Sequence, residues 1–127
     1  MESLQNLENN TAKTIDQLAK YNQLGYYLFV EKSTPHCKLS VVKAMIETGK
    51  VRSTISALAG GAALGFDFDG IVGVIKTLTP TDFHKSMTTH ADHRVWQDVY
   101  RPTTPAGEAY LKLTVIDDVL IVSFKEL

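Results

Sequence analysis

A chain of 127 residues with 44% hydrophobic side chains is long enough for one domain with a buried core and too short for two comfortable ones. Thirteen basic residues against fourteen acidic ones give a formal charge of -1, which excludes the global positive field of a general nucleic-acid binder and leaves room only for a local basic site. The single cysteine, Cys37, excludes an internal disulfide.

The chain starts MESLQNLENN, which lacks the basic start and apolar stretch of a secretory signal. The longest apolar run, residues 26–30, is far below the roughly 20 residues needed to span a bilayer. A reducing cytoplasm without membrane association is the expectation. Residues 1–30 hold two of the basic and three of the acidic side chains, which leaves eleven of each in the rest.

Leu4, Leu7, Thr11, Ile15 and Leu18 recur at three- and four-residue spacing, so residues 3–24 form a thin amphipathic helix candidate in an N-terminal segment, 1–30, that is helical or partly disordered. A better-marked helix covers residues 41–48, with Ser40 as cap, Val41, Val42, Met45 and Ile46 as its stripe, and Gly49 as its stop. Ser53 or Thr54 opens the next, through Ile55, Leu58, Ala62 and Leu64 to Gly65, although Gly60-Gly61 inside it costs stability. Asp67 and Asp69 then cap a buried helix containing Ile71, Val74, Ile75 and Leu78. Thr79-Pro80-Thr81-Asp82 is a helix-start signal and predicts a short helix over residues 80–87.

After Thr88 the periodicity changes from helical to alternating. Residues 95–100, 110–116 and 119–125 read as three strands, so helices come first and an antiparallel meander last. That order defines an α+β fold with helices on one face of the sheet. Residues 31–127 form its single domain.

An Asp117-Asp118 hairpin loop pairs Ile116 with Val119 and places Tyr110 directly opposite Lys125. Alternation then gives Leu111, Leu113, Val115, Leu120, Val122 and Phe124 to one apolar face, and Tyr110, Lys112, Thr114, Ser123 and Lys125 to the other. A tyrosine flanked by two lysines suits an anionic phosphodiester, and each ammonium is expected to lower the phenol pKa. Solvated positions on an exposed sheet face give the same pattern, so spacing alone does not name a reaction.

His84, His90 and His93 with Asp82 and Asp92 match no zinc spacing, and His36 beside Cys37 offers two ligands at most. Neither a metal nor a cofactor is expected. Gly60-Gly61 lacks the GK[ST] of a phosphate-binding loop. Trp96 and Tyr100 share one side of their strand, which points to core packing. A helix-turn-helix reading fails because residues 53–64 contain no Lys or Arg.

The ordered strings EKSTPHCKLSVVK, GKVRST, LGFDFDG, DFHKSMTT, WQDVYRP, AYLKLTVI and DVLIVSFKE run through residues 31–127. Over that span the chain resembles the MqsR family of toxin endoribonucleases. The resemblance implies a RelE-like toxin fold, ribosome-independent cleavage of mRNA at GCU-like sites without a metal, and neutralisation by a cognate MqsA-type antitoxin. It carries active-site positions onto Lys85, Gln97, Tyr110 and Lys125. Tyr110 and Lys125 are also the pair that hairpin register sets side by side. Lys112 and Arg101 are expected to contact phosphate or base beyond the scissile bond, and His84, where the family pattern has an aromatic, to tune substrate binding. Asp117 stands where the pattern has a His. A rival reading is a catalytically silent module that grips RNA or a protein with the same face.

Val30 falls at the position of the family's initiator Met, so residues 1–29 are expected to arise from an upstream start, with Val30 as the alternative. Intact-mass measurement of the natively expressed protein checks this, since a chain retaining Met1 disproves the shorter start.

Overall fold

The computed structural model describes residues 30–89 and 91–127. The helix expected over residues 3–24 and the side chain of His90 lie outside them.

Among the described residues, three α-helices and a seven-stranded sheet follow in chain order: β1 (Glu31–Lys32), α1 (Leu39–Glu47), β2 (Val51–Ser53), α2 (Ile55–Ala63), α3 (Phe68–Lys76), β3 (Phe83–Thr88), β4 (Trp96–Tyr100), β5 (Thr103–Thr104), β6 (Gly107–Val115) and β7 (Val119–Glu126). The sheet order is β1-β3-β4-β6-β7-β2, with β5 paired to one end of β6. All pairings are antiparallel except β2 with β7. The fold is α+β, as its sequence pattern requires.

Local chemistry sets the helix boundaries. The Thr54 side chain accepts a hydrogen bond from Ala57 N at 3.0 Å, and Asp67 Oδ1 accepts one from Gly70 N at 2.8 Å. Each satisfies a backbone donor that the first turn leaves unpaired. α1 departs from expectation: Ser40 is not its cap, because the helix already starts at Leu39 with an uncapped Lys38 before it. Gly49 ends α1 with φ 79°, and Gly65 follows α2 with φ 88°, conformations that cost other residues more.

The helix expected over residues 80–87 does not form. Its start signal is used, but for a single 3₁₀ turn, Pro80–Asp82, closed by a Thr79/Asp82 capping box. The chain then enters β3, which is hydrogen-bonded to β1 on one edge and β4 on the other. Two long-range ladders outweigh a weak local helix signal. β1, β2 and β5 had no sequence expectation, because two or three residues carry no readable period.

The hairpin loop is also one residue longer than expected. Val115 pairs with Val119, so Ile116, Asp117 and Asp118 form the loop. The register then shifts between Lys112 and Leu113, leaving Val122 as an extra residue, and Tyr110 ends opposite Lys125 as expected. This bulge reassigns the core face of β7. Val119, Ile121 and Phe124 are buried, whereas Leu120 and Val122 are only partly covered.

Leu111, Leu113, Tyr100 and Ala109 join that row and pack against Val42, Ile46, Ala57, Ile71, Val74, Ile75 and Leu78 from the helices. α2 lies so close to β7 that a Cβ on Gly60 would stand 1.9 Å from the Phe124 carbonyl oxygen. The glycine pair that weakens α2 as a helix is therefore what lets it dock. At Gly73 on α3 nothing lies within 4 Å of the corresponding position. Gly60→Ala is expected to lower unfolding stability by about 1–3 kcal/mol, and Gly73→Ala to raise it by about 0.5–1 kcal/mol. Denaturant unfolding of the two variants checks both signs.

Candidate active site

The helices cover one face of the sheet, and strand alternation turns the opposite side chains away from them. On that opposite face, cross-strand register places Tyr110 opposite Lys125, then Lys85, Val99, Lys112 and Ser123 in the next row, then Met87 with Gln97. Four strands thus bring Lys85, Gln97, Tyr110, Lys112 and Lys125 to one surface. Gln97 stands nearest the hairpin-loop end, with the Lys85–Lys112 row between it and Tyr110.

Lys85 reaches this face from a strand, not from the helix expected there. A register shift between Phe83 and Lys85 leaves His84 as an extra residue. The irregularity lets Phe83 pack edge-on against Tyr100, at 5.5 Å between ring centroids, while Lys85 opens to the other side. His84 is exposed. Partial desolvation first, then the positive charges of Arg101 and Lys85, press its imidazole pKa down, against the pull of Glu31. Arg101 is exposed just beyond β4 and anchored through its backbone N–H, which donates to the Asp82 carbonyl at 2.7 Å.

The electrostatics of Tyr110 reverse the expectation from sequence. The Lys112 and Lys125 ammonium nitrogens lie 5.9 and 5.2 Å from the centre of its ring, where they meet the π-face. Burial is the largest influence on the phenol and raises its pKa, Lys85 and Arg101 oppose the rise, and Glu31 adds to it. Tyr110 is therefore a protonated hydrogen-bond donor at neutral pH. Lys112 is shifted the other way: desolvation, then Lys125 and Lys85, disfavour its charged form.

Sequence reasoning missed Glu31. Its Oε2 accepts a hydrogen bond from Lys85 Nζ at 2.6 Å, and no motif signals it because β1 is two residues long. Trp96 is a further correction. It is half-buried and outside the core cluster, stacked on His36 at 5.4 Å with Lys32 Nζ 4.2 Å from its ring. Its neighbour Asp98 is buried and accepts from the backbone N–H groups of His36 and Cys37 at 2.9 and 3.0 Å, which ties the loop after β1 to the sheet. Among the described residues no three His, Cys, Asp or Glu side chains are grouped to hold a metal ion.

The α+β fold and the lysine–tyrosine cluster on the sheet face opposite the described helices agree with the class of protein that the sequence strings suggest. The family described as "motility quorum-sensing regulator, toxin of MqsA" matches residues 34–126, and the chain belongs to this MqsR toxin family. It is 59% identical over 97 residues, 76% of this chain and 99% of the relative, to the mRNA interferase toxin MqsR of Escherichia coli (strain K12).

The position of the Tyr110 proton is open to measurement. The ultraviolet alkaline titration of wild type minus that of Tyr110→Phe isolates one phenol, and its midpoint is expected above the ordinary 10.0. Tyr100, pushed up to about 12 by burial, is common to both proteins and cancels. A midpoint below 10 would mean that the lysines, not burial, govern the site.

Proposed function

We propose that this protein is a ribosome-independent mRNA endoribonuclease, acting in the cytoplasm as the toxin of a toxin–antitoxin pair, cutting at GCU-like sites without a metal ion and neutralised by an MqsA-type antitoxin. Membership of the MqsR toxin family and the 59% identity to an mRNA interferase toxin support the class of activity and of partner. The observation that carries the chemistry is the shared face of Lys85, Tyr110, Lys112 and Lys125, where cations surround a protonated phenol.

In metal-free RNA cleavage the 2′-OH attacks the adjacent phosphorus in line. The site must remove one proton, stabilise charge growing on the phosphate oxygens and protonate the leaving 5′-oxygen. Lys85 and Lys125 clamp the phosphate. Tyr110, held as the neutral phenol, donates to the scissile group or to the leaving oxygen. Gln97 positions the neighbouring nucleotide by hydrogen bonds, and Lys112, Arg101 and His84 contact phosphate or base beyond the bond that breaks.

Tyr110→Phe and Lys125→Ala are expected to fold as wild type does and to lose about 100-fold or more in cleavage of a GCU-containing RNA. Wild type stays active in excess EDTA and is silenced by an equimolar MqsA-type protein. Full activity in either variant removes the assigned site, whereas loss of wild-type cleavage in EDTA favours a metal route. Product-end mapping separates an enzyme from a silent binder.

A further inference from the structure

The reaction just described needs a group that accepts the 2′-hydroxyl proton, and the residues placed at the scissile phosphate, Lys85, Lys125 and Tyr110, are poor candidates. Lys85 and Lys125 are assigned to hold the phosphate, and burial disfavours the Tyr110 phenolate. Glu31 places a carboxylate on the same face of the sheet. It pairs with Met87 in the sheet register, and Met87 pairs with Gln97, so all three side chains leave the sheet on the face that carries Tyr110 and Lys85. Its Oε2 lies 2.6 Å from Lys85 Nζ. Its field reaches both Tyr110 and His84.

The carboxylate stands on a fixed support. Val30 N–H donates to Thr88 Oγ1 at 2.8 Å, and the Val30 carbonyl accepts from Thr88 N–H at 2.8 Å. Directly before Glu31, these two bonds pin β1 to β3 and set the carboxylate's approach to Lys85. Among the described residues, the charged and titratable groups facing it include Lys85 and His84 on β3, Arg101 beyond β4 and Tyr110 on β6, with Lys112 and Lys125 farther along the same face. Lys32, the next residue on β1, points to the other side, over Trp96.

Resting on the nuclease reading above, we propose that Glu31 is a catalytic residue of that reaction, the general base that activates the 2′-hydroxyl, with Lys85 holding its carboxylate toward the nucleotide. As the 2′-oxygen forms its bond to phosphorus, Glu31 takes the hydroxyl proton. The P–O5′ bond breaks, and the Tyr110 phenol gives its proton to the departing 5′-oxygen. The ends are a 2′,3′-cyclic phosphate and a 5′-hydroxyl. The Glu31 carboxylic acid then returns its proton through water to the Tyr110 phenolate, which resets the site. Base and acid thus stand on β1 and β6, on either side of the Lys85–Lys112 row. That separation suits an in-line displacement, whose entering and leaving oxygens lie on opposite sides of phosphorus.

A counter-ion role makes the opposite prediction. A carboxylate that merely neutralises Lys85 repels the substrate phosphate, so removing its charge would tighten binding and leave the chemical step alone. Single-turnover cleavage of a defined GCU-containing RNA by full-length wild type, Glu31→Gln, Glu31→Asp and His84→Ala, followed from acid to neutral pH, separates these roles. Glu31→Gln is expected to lose about 100-fold or more in kcat, with KM changed only a few-fold, and to lose the rise in rate from acid to neutral pH that an unprotonated base imposes. Glu31→Asp, whose shorter side chain keeps the carboxylate, recovers part of the rate together with that rise. It carries the test alone if circular dichroism shows Glu31→Gln to be unfolded. Wild-type kcat with a lowered KM in Glu31→Gln overturns the assignment, as does an acid-side rise that survives there and vanishes in His84→Ala. If wild type itself leaves the RNA intact, the nuclease reading falls. If wild type cuts and Glu31→Gln cuts equally well, only the role of Glu31 falls.

Discussion

The pairing of β6 with β7 governs the rest of the molecule. β6 is hydrogen-bonded to β4 along one edge and to β7 along the other, and β7 carries both α2 and the parallel strand β2. Burying Leu111, Leu113, Ile121 and Phe124 against the helices forces Tyr110, Lys112 and Lys125 to the opposite surface, because successive side chains on a strand alternate. A core that supplies the main folding energy therefore also aims the polar site. The bulge at Val122 makes the two demands compatible: it brings Val119 and Ile121 into the core while keeping Lys125 beside Tyr110.

The site gathers like charge and shields it. Lys85, Lys112 and Lys125 share a surface with Arg101 at its margin, and burial together with mutual repulsion already disfavours the charged form of Lys112. Such a face is relieved by an anion, which converts repulsion among ammonium groups into attraction to a common partner. Glu31 meets part of that demand before substrate arrives, through its bond to Lys85. The Tyr110 phenol, covered enough to stay neutral, remains a donor among cations.

Features whose cause is local were legible before the fold was known. Thr54 and Asp67 cap their helices through contacts three residues away, and the alternating runs of β6 and β7 reveal a two-faced hairpin. Features settled by distant partners were not. Residues 83–88 follow a helix-start signal yet become a strand, because β1 and β4 flank them on both edges. Trp96 has the spacing of a core residue but lies where His36 and Lys32, not the helices, cover it. The hairpin loop hid its true length because a bulge later restored the register.

The sequence by itself determined that helices precede a sheet, that one face of the late hairpin is apolar, and that Tyr110 and Lys125 stand together, since period and alternation are properties of neighbouring residues. Tertiary structure alone decided that Lys85 joins them from a strand, that Glu31 bonds to it from a position 54 residues earlier, and that burial pushes the Tyr110 phenol pKa up, not down. Sheet order and desolvation depend on which distant segments meet, and no local pattern in a chain records that.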